Sequence, residues 1–284
     1  MAIYVVYSYQ FSPIMNGQMS LFSDCCPAEQ VWDNKQKIFG DLFDSELAFI
    51  YRTHRHGHEV LFNENGLIFL KLANNKQIVQ ESSFKTRTLE HNPSCNILID
   101  NRQDIQNLYI EKSSYAFSDT SVTANILEKT FNRYLSEKGL SISITHRYKT
   151  QEFWDIIESA EKGVKMLRFS LQYPNLPDVR QKMGDMLADT SQKLKSKETK
   201  IEFNAGVGES LVISKENDRV VEMVDASAAS GKKITLRLNG IRAYREVGST
   251  TEEVEIDNLE AKLDADLLES ATQKIINVIN KFKR

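Results

Sequence analysis

The strongest constraint on this chain is a pair of apolar runs set around a short polar turn. Glu59-Val-Leu-Phe-Asn63 and Gly66-Leu-Ile-Phe-Leu-Lys-Leu72 flank Asn63–Gly66. Asn-Gly chemistry between β-rich runs predicts an antiparallel hairpin. Further strands are expected over Ile3–Phe11, which is dense in β-branched and aromatic residues, and over Lys76–Val79 and Cys95–Asp100. Another follows at Asn107–Lys112, after the polar stretch Asp100-Asn-Arg-Gln-Asp104, so these last two strands should pair or neighbour each other. Lys37–Asp44 and Leu47–Tyr51 fit short helix or strand equally.

A change of period follows. Val122, Ile126, Leu127 and Phe131 keep helical spacing over Ser121–Lys138, and Gly139 stands at the position that ends such a helix. A strand at Ser141–His146 precedes a short helix over Thr150–Ala160 with Phe153, Trp154 and Ile157 on one face. Beyond Gly163 come a strand over Val164–Tyr173 and a helix from Asp178 to about Ser196. Strand-like segments follow at Lys200–Asn204, Ser210–Ser214, Val220–Val224 and Lys233–Leu238, and an amphipathic helix over Ala261–Phe282 closes the chain. The expected fold is α+β, in two lobes of mixed strands and helices with a long C-terminal helix. The lobes are residues 1–163 and 164–284.

Composition is that of an ordinary globular protein, 41% hydrophobic and 26% charged over 284 residues. A net charge of −3 argues against a global polyelectrolyte binder, yet permits a local basic face. The cysteines Cys25, Cys26 and Cys95 are odd in number and lack C-x-x-C spacing, which favours a reducing compartment. The start, Met1-Ala-Ile-Tyr-Val-Val-Tyr, lacks the basic and apolar blocks of a signal peptide, and no apolar run approaches membrane-spanning length. A cytoplasmic protein is expected.

No motif marks a catalytic centre or a metal site. His54, His56 and His58 alternate, so on a strand they would share one face, but Arg52 and Arg55 oppose a divalent cation there. Asp100, Asp104 and Glu111 place carboxylates near strand ends, as metal-dependent nucleases do. Glu111 and Lys112 are adjacent, however, and would point to opposite faces. Gly206-Val-Gly-Glu-Ser210 lacks the full phosphate-loop spacing and reads as a tight turn.

Charge distribution carries the clearest signal. Ser230–Arg245 holds Lys232, Lys233, Arg237, Arg242 and Arg245 without an acid, and Lys193, Lys195 and Lys197 precede it. Glu252–Glu269 holds eight acids and one lysine. Those eight cations are the expected contacts to nucleic-acid phosphate, giving sequence-independent, salt-sensitive binding. Tyr244 could lie beside a base, although one aromatic is no stacking platform. The alternatives are a solvated face, or a scaffold whose acidic run meets the basic stretch of another subunit.

His58-Glu-Val-Leu-Phe-Asn-Glu-Asn-Gly-Leu-Ile-Phe-Leu-Lys-Leu-Ala-Asn-Asn-Lys-Gln-Ile-Val-Gln80 resembles the early part of RexA-like phage-exclusion proteins. The chain length and the basic finish Lys281-Phe-Lys-Arg284 are similar as well. This resemblance, which extends to the similarly built KwaB-like proteins, implies a bacterial antiphage role. It implies a non-enzymatic DNA-binding sensor that acts as a homodimer with a membrane-protein partner; double-stranded DNA is the expected ligand, and the chain's own apolar runs are too short for it to be expected to span the membrane. It implies no catalytic residue and no cofactor. The net negative charge and the triple histidine depart from that pattern. A metal-dependent nuclease or nucleotide hydrolase on Asp100, Asp104 and Glu111 is the alternative.

Overall fold

The structure is a computed structural model that describes residues 2–14, 28–82, 85–103, 105–172 and 198–256. The chain divides into two compact units, Met1–Ile144 with Glu253–Arg284, and Thr145–Glu252. The sequence reading placed one boundary near Gly163. By contacts the cuts fall at Ile144/Thr145 and at Glu252/Glu253, so the second unit is an insertion in the chain of the first.

The first unit is built on strands β1 (Ala2–Pro13), β2 (Phe49–Tyr51), β3 (His54–Glu64), β4 (Leu67–Ala73), β7 (Ser94–Asp100), β8 (Asn107–Glu111), β9 (Leu140–His146) and β14 (Glu253–Ile256). They form one curled sheet in the order β14-β1-β8-β7-β4-β3-β2, with β9 also pairing β1. Strands β5 (Lys76–Ser82) and β6 (Lys85–His91) pair only with each other. The hairpin between β3 and β4 turns at Asn65 and Gly66, with φ of +53° and +75°. Two successive positive φ values suit the right-handed twist of the flanking strands, which is why Asn-Gly occupies the turn.

Both faces of this sheet are buried. Its central strands therefore read as continuous apolar runs, such as Tyr4-Val5-Val6-Tyr7 and Leu67-Ile68-Phe69-Leu70, and not as an alternation. Val5, Tyr7, Ile68, Leu70, Ile97 and Leu108 face one core, and Tyr4, Val6, Phe69, Leu98 and Tyr109 face the other. The first core is closed by α1 (Ala28–Asp33), α2 (Lys35–Gly40), a 3-10 turn at Asp41–Asp44, and α3 (Thr120–Ser136). Phe39 of α2 is its aromatic hub, with ring centroids 5.4 Å from Tyr9, 5.5 Å from Phe11, 5.4 Å from Phe43 and 5.0 Å from Phe131 of α3. Asp119 caps α3 by accepting from the Ser121 amide at 2.7 Å.

The second unit holds α4 (Gln151–Glu158), β10 (Val164–Gln172), β11 (Glu198–Asn204), α5 (Asp218–Ala229), β12 (Ile234–Leu238) and β13 (Arg245–Val247). Its sheet is antiparallel in the order β11-β10-β12-β13. Phe153, Trp154 and Ile156 of α4 and Val224 of α5 pack on Leu167, Phe169, Ile234, Leu236 and Val247.

Two expectations need correction. The expected α+β fold of mixed strands and helices is overturned: the structure is mostly β, with 42% strand against 26% helix. The difference comes in part from strands such as β6, whose sequence Lys85-Thr-Arg-Thr-Leu-Glu-His91 carries little apolar alternation, and β14, only four residues long; a neighbouring strand satisfies the backbone of each. The closing helix expected at Ala261–Phe282 and the helix from Asp178 to about Ser196 lie outside the described residues, so no long C-terminal helix is among the described elements. Second, Val220–Val224 is helical and not a strand. Asn217 accepts from the Arg219 and Val220 amides, and Val220, Val224 and Ser227 recur at helical spacing. No helix among the described residues is long and apolar enough to cross a membrane.

Glycine is required at Gly231, where φ is +67° and an added Cβ would stand 2.5 Å from the His146 carbonyl oxygen. Gly139 has φ of +78° but open space around it. Gly139→Ala should therefore cost about 1 kcal/mol from backbone strain alone, and Gly231→Ala distinctly more. Chemical denaturation of both variants measures the order, and equal losses would contradict it.

Candidate nucleic-acid interface

Alternation along the second unit's strands separates two faces. Leu167, Phe169 and Leu171 of β10 turn to the helices, so Arg168 and Ser170 turn away. Register carries this across the sheet. Arg168 lies opposite Glu202 of β11 and Thr235 of β12, Thr235 lies opposite Glu246 of β13, and Ser170 lies opposite Lys200. The result is a polar face with a cleft of 260 Å³, lined by four cations (Arg168, Lys200, Lys232, Lys233), two carboxylates (Glu198, Glu246) and the hydroxyls of Ser170 and Thr235.

Several of these cations already have partners. Lys233 meets Glu246 at 3.1 Å, Lys200 meets Glu198 at 3.6 Å, and Arg168 meets Glu202 at 2.5 Å. The hydrogen bond and charge of Glu246 raise the Lys233 ammonium above its ordinary pKa. Hydrogen bonds from Asn204 and then Arg168 hold the Glu202 carboxyl below the usual range. Arg237 lays its guanidinium over the Tyr244 ring, 5.6 Å from the centroid. Among the described residues Lys232, Arg242 and Arg245 make no ion pair.

The structure thus brings Lys232, Lys233 and Arg237 to the open face, and puts Arg242 on the exposed turn leading to β13. Arg245 lies opposite Leu236, so it projects from the other face at the sheet's edge and is exposed. Lys193, Lys195 and Lys197 lie outside the described residues. Sequence reasoning missed Arg168, although period-2 reading of Val164–Gln172 places it on the polar side. It also missed Glu202 and Glu246 as neutralising partners, since only strand pairing reveals them.

The other candidate residues have structural roles. Asp100 is fully buried, and Arg102 grips its carboxylate through Nε at 2.8 Å and a terminal nitrogen at 2.6 Å. Beside it the Tyr9 hydroxyl donates to Asn101 at 2.8 Å, and Asn101 donates to the Gln36 carbonyl at 2.7 Å. Asp100 is paired with Asn107 at one end of β8, while Glu111 ends the same strand and accepts from the Asn96 amide at 2.9 Å. The two carboxylates are therefore held apart, and Asp104 lies outside the described residues. No group of three or more His, Cys, Asp or Glu among the described residues is placed to hold a metal ion.

His54, His56 and His58 do alternate along β3. His56 is buried with its ring 5.7 Å from Phe117, and the His58 ring lies 4.7 Å from Phe49. The Gly206 turn is closed by a bond from the Glu209 amide at 3.1 Å. Burial pushes the Cys95 thiol up to about 12, which keeps it protonated and a poor nucleophile. Cys25 and Cys26 lie outside the described residues.

Two measurements follow from these environments. Asp100→Ala should cost about 2 kcal/mol, less than a fully buried pair because Arg102 keeps access to water. A fully stable variant in a denaturation experiment would refute the structural role. Burial lowers the pKa of both His56 and His58 from 6.5, so the folded protein resists protons that the unfolded chain accepts. The histidine contribution to stability should be level above pH 6.5, and stability should fall below it. The fall in Tm between pH 7.5 and 5.5 should shrink in His56→Gln/His58→Gln, and an unchanged fall would exclude these histidines as its source. No protein family, curated protein or solved structure matches this chain.

Proposed function

We propose that the second unit binds nucleic-acid phosphate without sequence preference, and that the protein is the DNA-binding sensor component of an antiphage system. The observation that carries the binding is the set of cations with no carboxylate partner among the described residues, Lys232 in the cleft, Arg242 on the turn and Arg245 at the sheet's edge, beside a polar face that holds Lys233 and Arg237. Such cations release condensed counterions when they meet phosphate, a gain that needs no base contact. Lys193, Lys195 and Lys197 add to the same charge if they reach the strand.

A sensor without its own catalysis agrees with the roles of Asp100, bound by Arg102, and of Cys95, held as a thiol. The defence role, the homodimer and the membrane-protein partner rest on the resemblance of residues 58–80 to RexA-like and KwaB-like proteins. Binding at the second unit would be relayed to that partner.

Fluorescence anisotropy with labelled duplex DNA at two salt concentrations tests the binding. Affinity should fall as salt rises, and each lost phosphate contact should flatten the logarithmic slope by about 0.9. Lys232→Ala, Arg242→Ala and Arg245→Ala should each have that effect. Lys233→Ala should do less, because Glu246 already offsets its charge. No salt-sensitive binding at low ionic strength would overturn the proposal.

A further inference from the structure

The turn between β12 and β13 has a feature that phosphate binding leaves unused. Tyr244 is 58% exposed and Ile241 51% exposed, on a segment that packing would otherwise keep polar. The Arg237 guanidinium backs one face of the Tyr244 ring at 5.6 Å from its centroid. The turn itself is fixed. Gly240 adopts φ of +78°, the Ile241 amide donates to the Leu238 carbonyl at 3.2 Å, and the Asn239 side chain donates to Ser210 Oγ at 2.7 Å and to the Lys162 carbonyl at 3.1 Å. Arg242 and Arg245, both exposed, bracket the ring in sequence.

A lone aromatic is no stacking platform, but with the Arg237 guanidinium over the Tyr244 ring we infer that this turn is a stacking site for one unpaired nucleobase, with Tyr244 as the stacking ring, Arg237 as its backing and Arg242 beside the strand's phosphates. The inference rests on the nucleic-acid reading above and adds to it a preference for single strands. A ring with a guanidinium over one side in a residue that is 58% exposed can offer its other π-face for stacking. Within a duplex the base faces are covered by neighbouring bases, so the platform finds a partner only where bases are unpaired. The register distance from Lys233 to Arg237 along β12, about 13 Å, lets the same strand run from the cleft to the turn. Sequence preference is not expected, since every base has a π-face.

The test is anisotropy with the full-length protein on a 20-nucleotide single strand, the duplex of the same sequence and an abasic strand of equal length. The single strand should bind more tightly than either. Tyr244→Ala should weaken single-strand binding roughly ten-fold and leave duplex and abasic affinity within about two-fold, while Tyr244→Trp should retain it. An RNA strand of the same sequence, run alongside, assigns the unpaired base to RNA or DNA. Equal affinity for single strand and abasic strand, or a Tyr244→Ala variant that binds all probes as the parent does, would overturn the stacking site and leave the phosphate interface standing. Absence of binding to every probe at low salt would remove both.

Discussion

The pairing of β1 on both its edges is the constraint on which the rest depends. One edge carries β8 in register from Tyr4 opposite Glu111 to Ser8 opposite Asn107, and β14 pairs the strand from Ala2 opposite Ile256 to Val5 opposite Glu253. β9 pairs it as well. Because β9 and β14 are sequence neighbours of the inserted residues 145–252, the second unit leaves and re-enters the chain at strands that share β1. Its own ends are joined by an antiparallel bridge between Tyr148 and Thr251, by the bond from the Glu252 amide to the Arg147 carbonyl, and by the Arg147–Glu252 ion pair at 3.0 Å. A closed module of this kind can hold a binding face whose shape does not depend on loose chain ends.

Within the first unit, burial on both faces of the sheet supplies the stabilising area, and the aromatic hub around Phe39 fixes the helices on one of those faces. The Asp100–Arg102 pair does something different. Desolvating a carboxylate opposes folding unless its lone pairs are satisfied, and here a bidentate guanidinium and the Arg102 amide satisfy them. Together with the bond from Tyr9 to Asn101, this makes the β7–β8 turn a specified junction. It also removes Asp100 from any catalytic use.

Electrostatics in the second unit depend on how easily the existing pairs give way. The Lys233–Glu246 pair leaves 51% and 62% of the two side chains exposed, so water screens it and its net worth is small. An incoming phosphate can compete for such a lysine, whereas the fork around Asp100 would not yield. Charge on the polar face is therefore graded. Lys232 makes no ion pair among the described residues, Lys233 and Lys200 are weakly held, and Arg168 is bound to Glu202 through two nitrogens. A single count of basic residues along Ser230–Arg245 treats these as equal.

Several elements were legible in the sequence because their signals are local. Asn65-Gly66 imposes the β3–β4 turn, the spacing of Ile126, Leu127 and Phe131 with Asp119 and Gly139 at the ends makes α3, and the apolar runs at Ile3–Phe11 and Cys95–Asp100 make β1 and β7. The basic character of residues 232–245 was equally plain. What only tertiary structure decided involves partners distant in the chain. Glu253–Ile256 sits inside an acidic run and alternates Glu-Val-Glu-Ile over only four residues, and β1 makes it a strand by offering its backbone a ladder. Val220–Val224 is a helix because Asn217 caps it and the sheet below accepts Val224, despite a β-branched run. Whether Lys233 is free or neutralised, and whether Arg245 joins Arg237 on one face, follow from which residue of β13 stands opposite which residue of β12. Composition and period are properties of a segment, but register is a property of a pair, and no single segment contains it.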